Sequence, residues 1–291
     1  MSTSAPLSVG AVVLTMNDRP VEFPRALSCL LVQEGVDLDV VVVGNGCAPE
    51  QVPAGIRTVE LPENVGIPEG RNVGAAHVRG EFLFFFDNDA HLPGRDEIAR
   101  LAAELDGDAE LAYVQPRIAD PDTGVTLRRW VPRLRAADPT RPGIVTVMAE
   151  GVVMIRRAAF EAAGGWPGHF FLFHEGIDLS WRLWDHGGTG RYVPDVIVHH
   201  PATDPSRHGP FHHLNARNRV WLARRNLPRA LVPLHLATFA AVTLFRLRDR
   251  RALRPTLSGF REGLRTSCGA RTPMRWTTIA RLTLAGRPPI V

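Results

Sequence analysis

The sequence predicts an α/β chain: a mainly parallel sheet with helices on both faces, followed by a helical C-terminal extension. Three observations carry this. Runs of Val and Phe without polar alternation, such as "DVVVVG" (39–44) and "FLFFF" (82–86), read as strands buried on both faces. Between such runs lie stretches with apolar residues at helical spacing, in a β-α-β-β-α-β-α order. Beyond residue 205 the strand signals stop and the remaining chain reads as helical.

The elements follow in order. Residues 9–14 are a short apolar strand. Residues 23–33 carry Phe23, Leu27, Leu30 and Leu31 on one helical face. The strand at 39–44 and a short one at 58–61 come next. "PEGRNVGAAHVRG" (68–80) opens with the proline of a helix start and closes on the glycine of a helix stop. The strand 82–86 is followed by a helix over 96–105, with Ile98, Leu101, Ala102 and Leu105 aligned. Residues 107–150 are richer in Pro, Asp and Arg and read as loops with isolated strands, such as 112–116. Then come a strand at 151–157, a short helix ended by Gly164 and Gly165, a helix over 175–188 stopped by two glycines, and a strand at 191–200. The expected organisation is a domain over 1–205, divided at 106/107, and a helical region over 206–291.

At 291 residues the chain can bury a sizeable core. Its 34 basic and 30 acidic residues are unevenly placed, with 207–287 rich in Arg. That excess suggests a phosphate-bearing ligand, an anionic membrane face or nucleic acid, and does not choose among them. Cys29, Cys47 and Cys268 lack zinc-site spacing, and an odd count argues against a disulfide framework, so a reducing cytosol fits. "MSTSAPLSVGAVVLTM" has no basic stretch leading into a long apolar core, so no secretory signal is expected. The most apolar stretch, 229–247, has 16 residues between Arg229 and Arg246, including Pro233 and His235. A bilayer span needs about 20, so a core or interfacial helix is expected. Arg229, Arg246, Arg248, Arg250 and Arg251 flank it and would suit anionic lipid.

Four constellations carry chemistry. Asp87-Asn88-Asp89 stands at the carboxyl end of a buried strand, where open α/β sheets bind ligands. Its carboxylates either terminate the strand or hold a hard divalent cation, which takes one or two protein carboxylates alongside phosphates. Glu175, Asp178, Arg182 and Asp185 share one helical face, opposite Ile177, Trp181 and Trp184. That face is either solvated or the source of a general base. The aromatic "HFFLFHE" just upstream would dry a site or stack a sugar ring. His199 and His200 end an apolar strand, and either could be a metal ligand. His208, His212 and His213 lie nearby without a zinc-hydrolase pattern. "ENVGIPEGRNVG" (63–74) offers Gly66, Gly70, Gly74 and Arg71, either as a ligand-approaching loop or as a helix start packed on the sheet. Its spacing fits neither the dinucleotide fingerprint nor a Walker loop.

In this order the motifs resemble the family 2 glycosyltransferases, which have the GT-A (Rossmann-like) fold. The resemblance runs over about residues 7–203. It is carried by "VLTMNDR" (13–19), "VVVVGNG" (40–46), "ENVGIPEGRNVG", "FFFDNDAHLP" (84–93), "GGWPGHFFLFHEGIDLSWRL" (164–183) and "YVPDVIVHHP" (192–201). It implies an inverting transfer of a sugar from a nucleotide-diphosphate donor to a hydroxyl acceptor, assisted by Mn²⁺ or Mg²⁺. Thr15, Asn17, Arg19, Asn45, Gly66, Arg71, Asp87 and Asn88 would bind the nucleotide sugar. Asp89 with His199 or His200 would bind the metal. Asp178 or Glu175 would be the base, with Asp178 favoured because it leads the Asp-Leu-Ser-Trp-Arg segment. Asn218 and Arg219 match a recurrent stretch of the family.

The resemblance further implies a saccharide, lipid-linked saccharide or small-molecule acceptor, and no nucleic acid partner. It implies a cytoplasmic chain with peripheral contact to the inner face of a membrane. Two positions depart from the family's pattern: Gly44 stands where an Asp commonly contacts the base, and Gly176 stands in the Glu-Asp-X-Asp helix where the first Asp often serves as catalytic base. The rival readings are a nucleotidyltransferase acting on a sugar phosphate and a catalytically impaired sugar-nucleotide-binding protein.

Overall fold

A computed structural model describes residues 5–131, 138–204, 209–246 and 250–290. His208 and Arg248, singled out above, lie outside the described residues, as do the side chains of Arg246 and Arg250. Among the described residues eight strands form one sheet in the order β3-β2-β1-β4-β7-β5-β8-β6. The first four, β1 (Leu7–Thr15), β2 (Val36–Asn45), β3 (Arg57–Leu61) and β4 (Phe82–Phe86), pair in parallel throughout. The second group is mixed. β7 (Val152–Arg156) runs antiparallel between β4 and β5 (Leu111–Ala119), and β6 (Gly143–Val145) runs antiparallel to β8 (Thr189–His199). Only β5 and β8 pair in parallel there.

Both faces of the sheet are covered, which explains the unalternated strands. β4 sends Phe82, Phe84 and Phe86 to one side, against α1 (Glu22–Leu31) and α3 (Glu97–Asp106). It sends Leu83 and Phe85 to the other side, where α2 (Ile67–Ala76), α4 (Arg157–Ala162) and α5 (Glu175–Asp185) pack. Phe85 meets Trp166 edge to face at 5.1 Å between centroids. At α2, Gly70 and Gly74 lie against Leu14 and Val12 of β1, so close that a Cβ at Gly74 would overlap Val12. These two glycines set the helix-to-sheet distance.

The C-terminal region adds α6 (Phe211–Asn226), α7 (Val232–Arg246), α8 (Arg250–Arg265) and α9 (Trp276–Leu284). Trp221 and Leu222 of α6 and Leu282 of α9 join the same apolar cluster as α5 and the sheet. This removes one of the two readings of α5. The face bearing Glu175, Asp178 and Arg182 is not solvated, because α6 and α9 close over it; all three residues are buried. α7 is the apolar stretch of 229–247. Of its described side chains only His235 is fully buried, while Leu234, Val242, Leu244 and Phe245 are exposed. Among the described residues no helix is long and apolar enough to cross a membrane.

Candidate active site

At the carboxyl ends of β1, β2 and β4 the sheet opens into a cleft of about 500 Å³. It is lined by Thr15, Arg19, Asn45, Arg71, Asp87, Asn88, Asp89, His200 and Glu175. Four residues named from the sequence stand apart from it: Asn17, Gly66, Asp178 and His199.

The strand end carries the charge. Arg71, buried on α2 with its guanidinium 5.2 Å from the Trp166 ring centre, donates to Asp87 Oδ1 at 2.8 Å. Arg19 lies 3.4 Å from Asp89 Oδ2. His200 Nε2 is 3.1 Å from Asp89 Oδ1 and 3.5 Å from Asp87 Oδ2, and its Nδ1 donates to the Pro201 carbonyl at 2.9 Å. Burial alone would lower the pKa of His200, but hydrogen bonds and charge from Asp87 and Asp89 overcome it and raise it to about 10. One ligand atom each from Asp87, Asp89 and His200 lie within 4.8 Å of one another. Two hard carboxylate oxygens and one imidazole form a donor set that suits Mn²⁺ or Mg²⁺. The residues present therefore fit a divalent cation.

Strand register separates the two histidines. His199 is the last residue of β8 and exchanges backbone hydrogen bonds of 2.8 Å with His91; their rings stack at 6.3 Å. The pleat turns the next residue the other way, and His200 joins the acids. Its ring also meets Trp130 edge to face at 5.7 Å.

Around the second strand's turn the side chains hold each other. Asn45 Nδ2 donates to Asn64 Oδ1 at 3.0 Å, and Asn45 Oδ1 accepts from Val65 N at 2.9 Å. Asn17, with φ of +56°, donates to the Ala48 carbonyl at 2.8 Å and accepts from Glu50 N. Gly44 has a steric cause: a Cβ there would overlap the Cys47 carbonyl. The turn has no room for the acid that the resemblance expects at 44.

The entry to α5 forms another wall. Phe171, Phe173 and His174 all have positive φ, at 66°, 74° and 69°. Such backbone is costly for non-glycine residues and needs support. Asn218 of α6 supplies it: fully buried, its amide donates to the carbonyls of Phe170, Leu172 and Phe173 at 2.7–2.9 Å. Leu172 and Phe173 then face the cleft. Arg219, its neighbour, is desolvated and its pKa falls to about 10.

Asp178 sits one turn into α5 and is wholly buried. It accepts from Arg182 Nε at 2.7 Å and from Asn226 Nδ2 at 2.7 Å, and Arg225 Nε lies 3.1 Å away. The carboxylate is saturated by the core rather than presented to the cleft. Glu175 does line the cleft, is 1% exposed, and its Oε2 has no hydrogen-bond partner. Burial first, then the charge of Glu150, raises its pKa well above the usual carboxylate range.

Among the cleft residues that sequence reading did not name as candidates are Arg129, Trp130, Glu150 and Arg287. The first three lie in the stretch without periodicity. Arg287 follows α9 and reaches the cleft only because the C-terminal helices fold back. The i, i+4 spacing of Asp178 and Arg182 was a legible sign of a helix-internal ion pair.

The architecture is that of a GT-A glycosyltransferase. Residues 11–164 match the profile of Glycosyl transferase family 2, more than half of the chain, and the protein belongs to that family. It is similar to the N-acetylglucosaminyl-diphospho-decaprenol L-rhamnosyltransferase of Mycobacterium tuberculosis (strain CDC 1551 / Oshkosh), with 34% identity over 79 residues. That match covers 25% of each chain, so it spans about a quarter of the relative's length. Among solved structures, GalNAc-T7 with UDP, GalNAc and Mn²⁺ superposes with a TM-score of 0.63 at 15% identity, covering 97% of this chain and 58% of the other. The mannosyltransferase PcManGT of Pyrobaculum calidifontis, with GDP-Man and Mn²⁺, gives 0.56 at 18%, covering 99% and 78%. S. aureus TarS 1–349 with UDP-GlcNAc gives 0.62 at 14%, covering 88% and 81%.

Proposed function

We propose that this protein transfers a sugar from a nucleoside-diphosphate donor to a hydroxyl acceptor, with inversion at the anomeric carbon. The observation that carries the reading is the Asp87, Asp89 and His200 cluster at the end of β4, in one cleft with an acid at the start of α5. Asp87, Asp89 and His200 would hold a divalent cation, which would act as a Lewis acid on the departing diphosphate. Arg71 and Arg19 orient the two aspartates. Thr15 and Asn45 line the side where the nucleotide lies. Leu172 and Phe173 keep water from the sugar. A carboxylate at the amino end of α5 takes the proton of the attacking hydroxyl, a role worth roughly 10² to 10⁴ in rate.

The acceptor we propose is a lipid-linked saccharide at a membrane face, as the name of the mycobacterial relative suggests for that protein. On α8 the exposed Leu253, Leu257 and Leu264 are interleaved with exposed Arg254, Arg261 and Arg265. Apolar contact with basic flanks suits anionic lipid. Cosedimentation with anionic but not zwitterionic vesicles is the expected outcome.

The donor reading is tested by thermal shift with UDP, GDP and dTDP, with and without Mn²⁺. A ligand of the folded chain at 100 times its Kd adds about 2.7 kcal/mol. One nucleotide should raise the melting temperature only with the metal present. No shift with any of them would sink the reading.

A further inference from the structure

Position 176 opens the second residue of α5, and it is glycine. The space beside it is filled by Glu150, which arrives from the segment between β6 and β7. Gly176 N–H donates to Glu150 Oε1 at 2.8 Å. A Cβ built on Gly176 would overlap Glu150 Cγ and stand 2.9 Å from Glu150 Oε1. No side chain fits at 176 while Glu150 lies where it does. On its other side this segment abuts the acid cluster: Asp87 N–H donates to the Gly151 carbonyl at 3.0 Å, and a Cβ on Gly151 would overlap Asp87 Oδ2. Glu150 therefore enters the cleft between the end of β4 and the amino end of α5.

Two acids, Glu150 and Glu175, then stand together in the cleft, and they differ in what holds them. Among the described residues Glu175 Oε2 has no hydrogen-bond partner, and the residue is almost wholly buried. Glu150 has the backbone N–H of a helix start, where partial positive charge favours an anion. Burial raises both pKa values. Arg71 and a backbone N–H oppose the rise at both, Gly176 N–H for Glu150 and its own for Glu175, and Asp87 adds to it at both; Glu175 is raised further by Glu150. Glu150, with the Gly176 N–H on its Oε1, is the better placed of the two to carry negative charge, because Glu175 Oε2 has no donor among the described residues.

Resting on the glycosyl-transfer reading above, we propose that Glu150 is the catalytic base, supplying from the β6–β7 segment the carboxylate that position 176 lacks. Its carboxylate takes the proton of the acceptor hydroxyl. The acceptor oxygen bonds to the anomeric carbon as the carbon–oxygen bond to the diphosphate breaks, and that electron pair leaves with the nucleoside diphosphate. The proton on Glu150 passes to solvent afterwards. Glu175, held neutral beside it, keeps a second negative charge out of the site.

The experiment compares wild type, Glu150→Gln, Glu175→Gln, Glu150→Ala and the swap Glu150→Ala with Gly176→Asp. Two readouts are taken: the Mn²⁺-dependent thermal shift with UDP, GDP and dTDP, and consumption of UDP-, GDP- and dTDP-sugars in the presence of membrane lipid extract. Glu150→Gln keeps the acceptor atom for Gly176 N–H. It is expected to leave the nucleotide shift intact and to lower turnover by about 10² to 10⁴. Glu175→Gln should lower turnover less than tenfold. The swap should recover at least tenfold over Glu150→Ala, because removing the Glu150 side chain takes away the two atoms nearest a Cβ at 176 and leaves the Met148 carbonyl at 3.0 Å.

An intact nucleotide shift with wild-type turnover in Glu150→Gln overturns the assignment and leaves the donor reading standing. Loss in Glu175→Gln alone does the same. A wild-type chain that binds nucleotide with Mn²⁺ but consumes no donor removes the reaction the base serves, and the assignment with it. If no nucleotide shifts wild type, the donor reading falls first and takes this assignment down.

Discussion

At the end of β4, Asp87 and Asp89 are surrounded by cations: Arg71 at 2.8 Å, Arg19 at 3.4 Å and His200 at 3.1 Å. At the start of α5, among the described residues, the hydrogen-bond donors to Glu150 and Glu175 are backbone N–H groups, that of Gly176 for Glu150 and its own for Glu175, and Glu175 Oε2 has no partner. Both pairs line one cleft. Positive charge is abundant at the first pair, and carboxylates so placed are the hard oxygen donors a divalent cation takes. At the second pair burial raises both pKa values, which favours proton transfer nearer neutral pH. The same residue type is thus tuned to two tasks by its neighbours, and each prediction below presses on one side of that contrast.

The largest effect is expected on the cation side. Asp89→Asn keeps the shape and removes one charge from the ligand set. Lewis-acid stabilisation of a leaving group amounts to several kcal/mol, and about 4 kcal/mol corresponds to about 10³ in rate. Mn²⁺-dependent donor consumption and the Mn²⁺-dependent part of the nucleotide thermal shift should both be lost. Glu150→Gln should lose only the first. Equal behaviour of the two variants would erase the division between metal side and proton side.

Asp178 tests the contrast from a third position, that of an acid fully enclosed by partners. Asp178→Ala leaves Arg182 and Arg225 without their carboxylate in the core, and breaking a buried pair in this way typically costs about 3–5 kcal/mol. The melting temperature should fall sharply, while any fraction that stays folded in the cold should keep its Mn²⁺-dependent nucleotide shift. A stable Asp178→Ala protein with turnover lowered about 10²-fold would return the base to Asp178 and remove it from Glu150.

How much of this was legible follows from where each signal resides. The donor side is local: buried strands, helix periodicity and Asp-Asn-Asp at a strand end are all written in short runs, and the cleft formed there. The choice between His199 and His200 was not local. It depends on where the β8 pairing ends, and that is fixed by His91, 108 residues away in sequence by the residue numbers. The enclosure of the Asp178 face of α5 was not local either. Closure of that face comes from α6 and α9, which no pattern within α5 announces. Glu150 was invisible for a related reason. It lies in an aperiodic stretch, and its meaning depends on a glycine 26 residues later that leaves room for it.

The smallest effect concerns proton and metal at one imidazole. In metal-free protein His200 titrates near 10, above its ordinary 6.5, because Asp87 and Asp89 outweigh its burial. A pKa raised on folding means that the folded state binds the proton more tightly. The resulting stability is fully present below about pH 6.5 and is lost as pH rises through about 10. EDTA-treated protein should therefore melt lower at pH 9.5 than at pH 6.5, by on the order of a few degrees. His200→Gln should flatten that slope. Metal ligation needs the neutral imidazole, so with Mn²⁺ present the trend should run the other way, the metal-induced shift growing with pH over the same window. A pH slope that is unchanged in His200→Gln would mean that the two aspartates do not hold that proton, and the charge balance assigned to the β4 side would need another source.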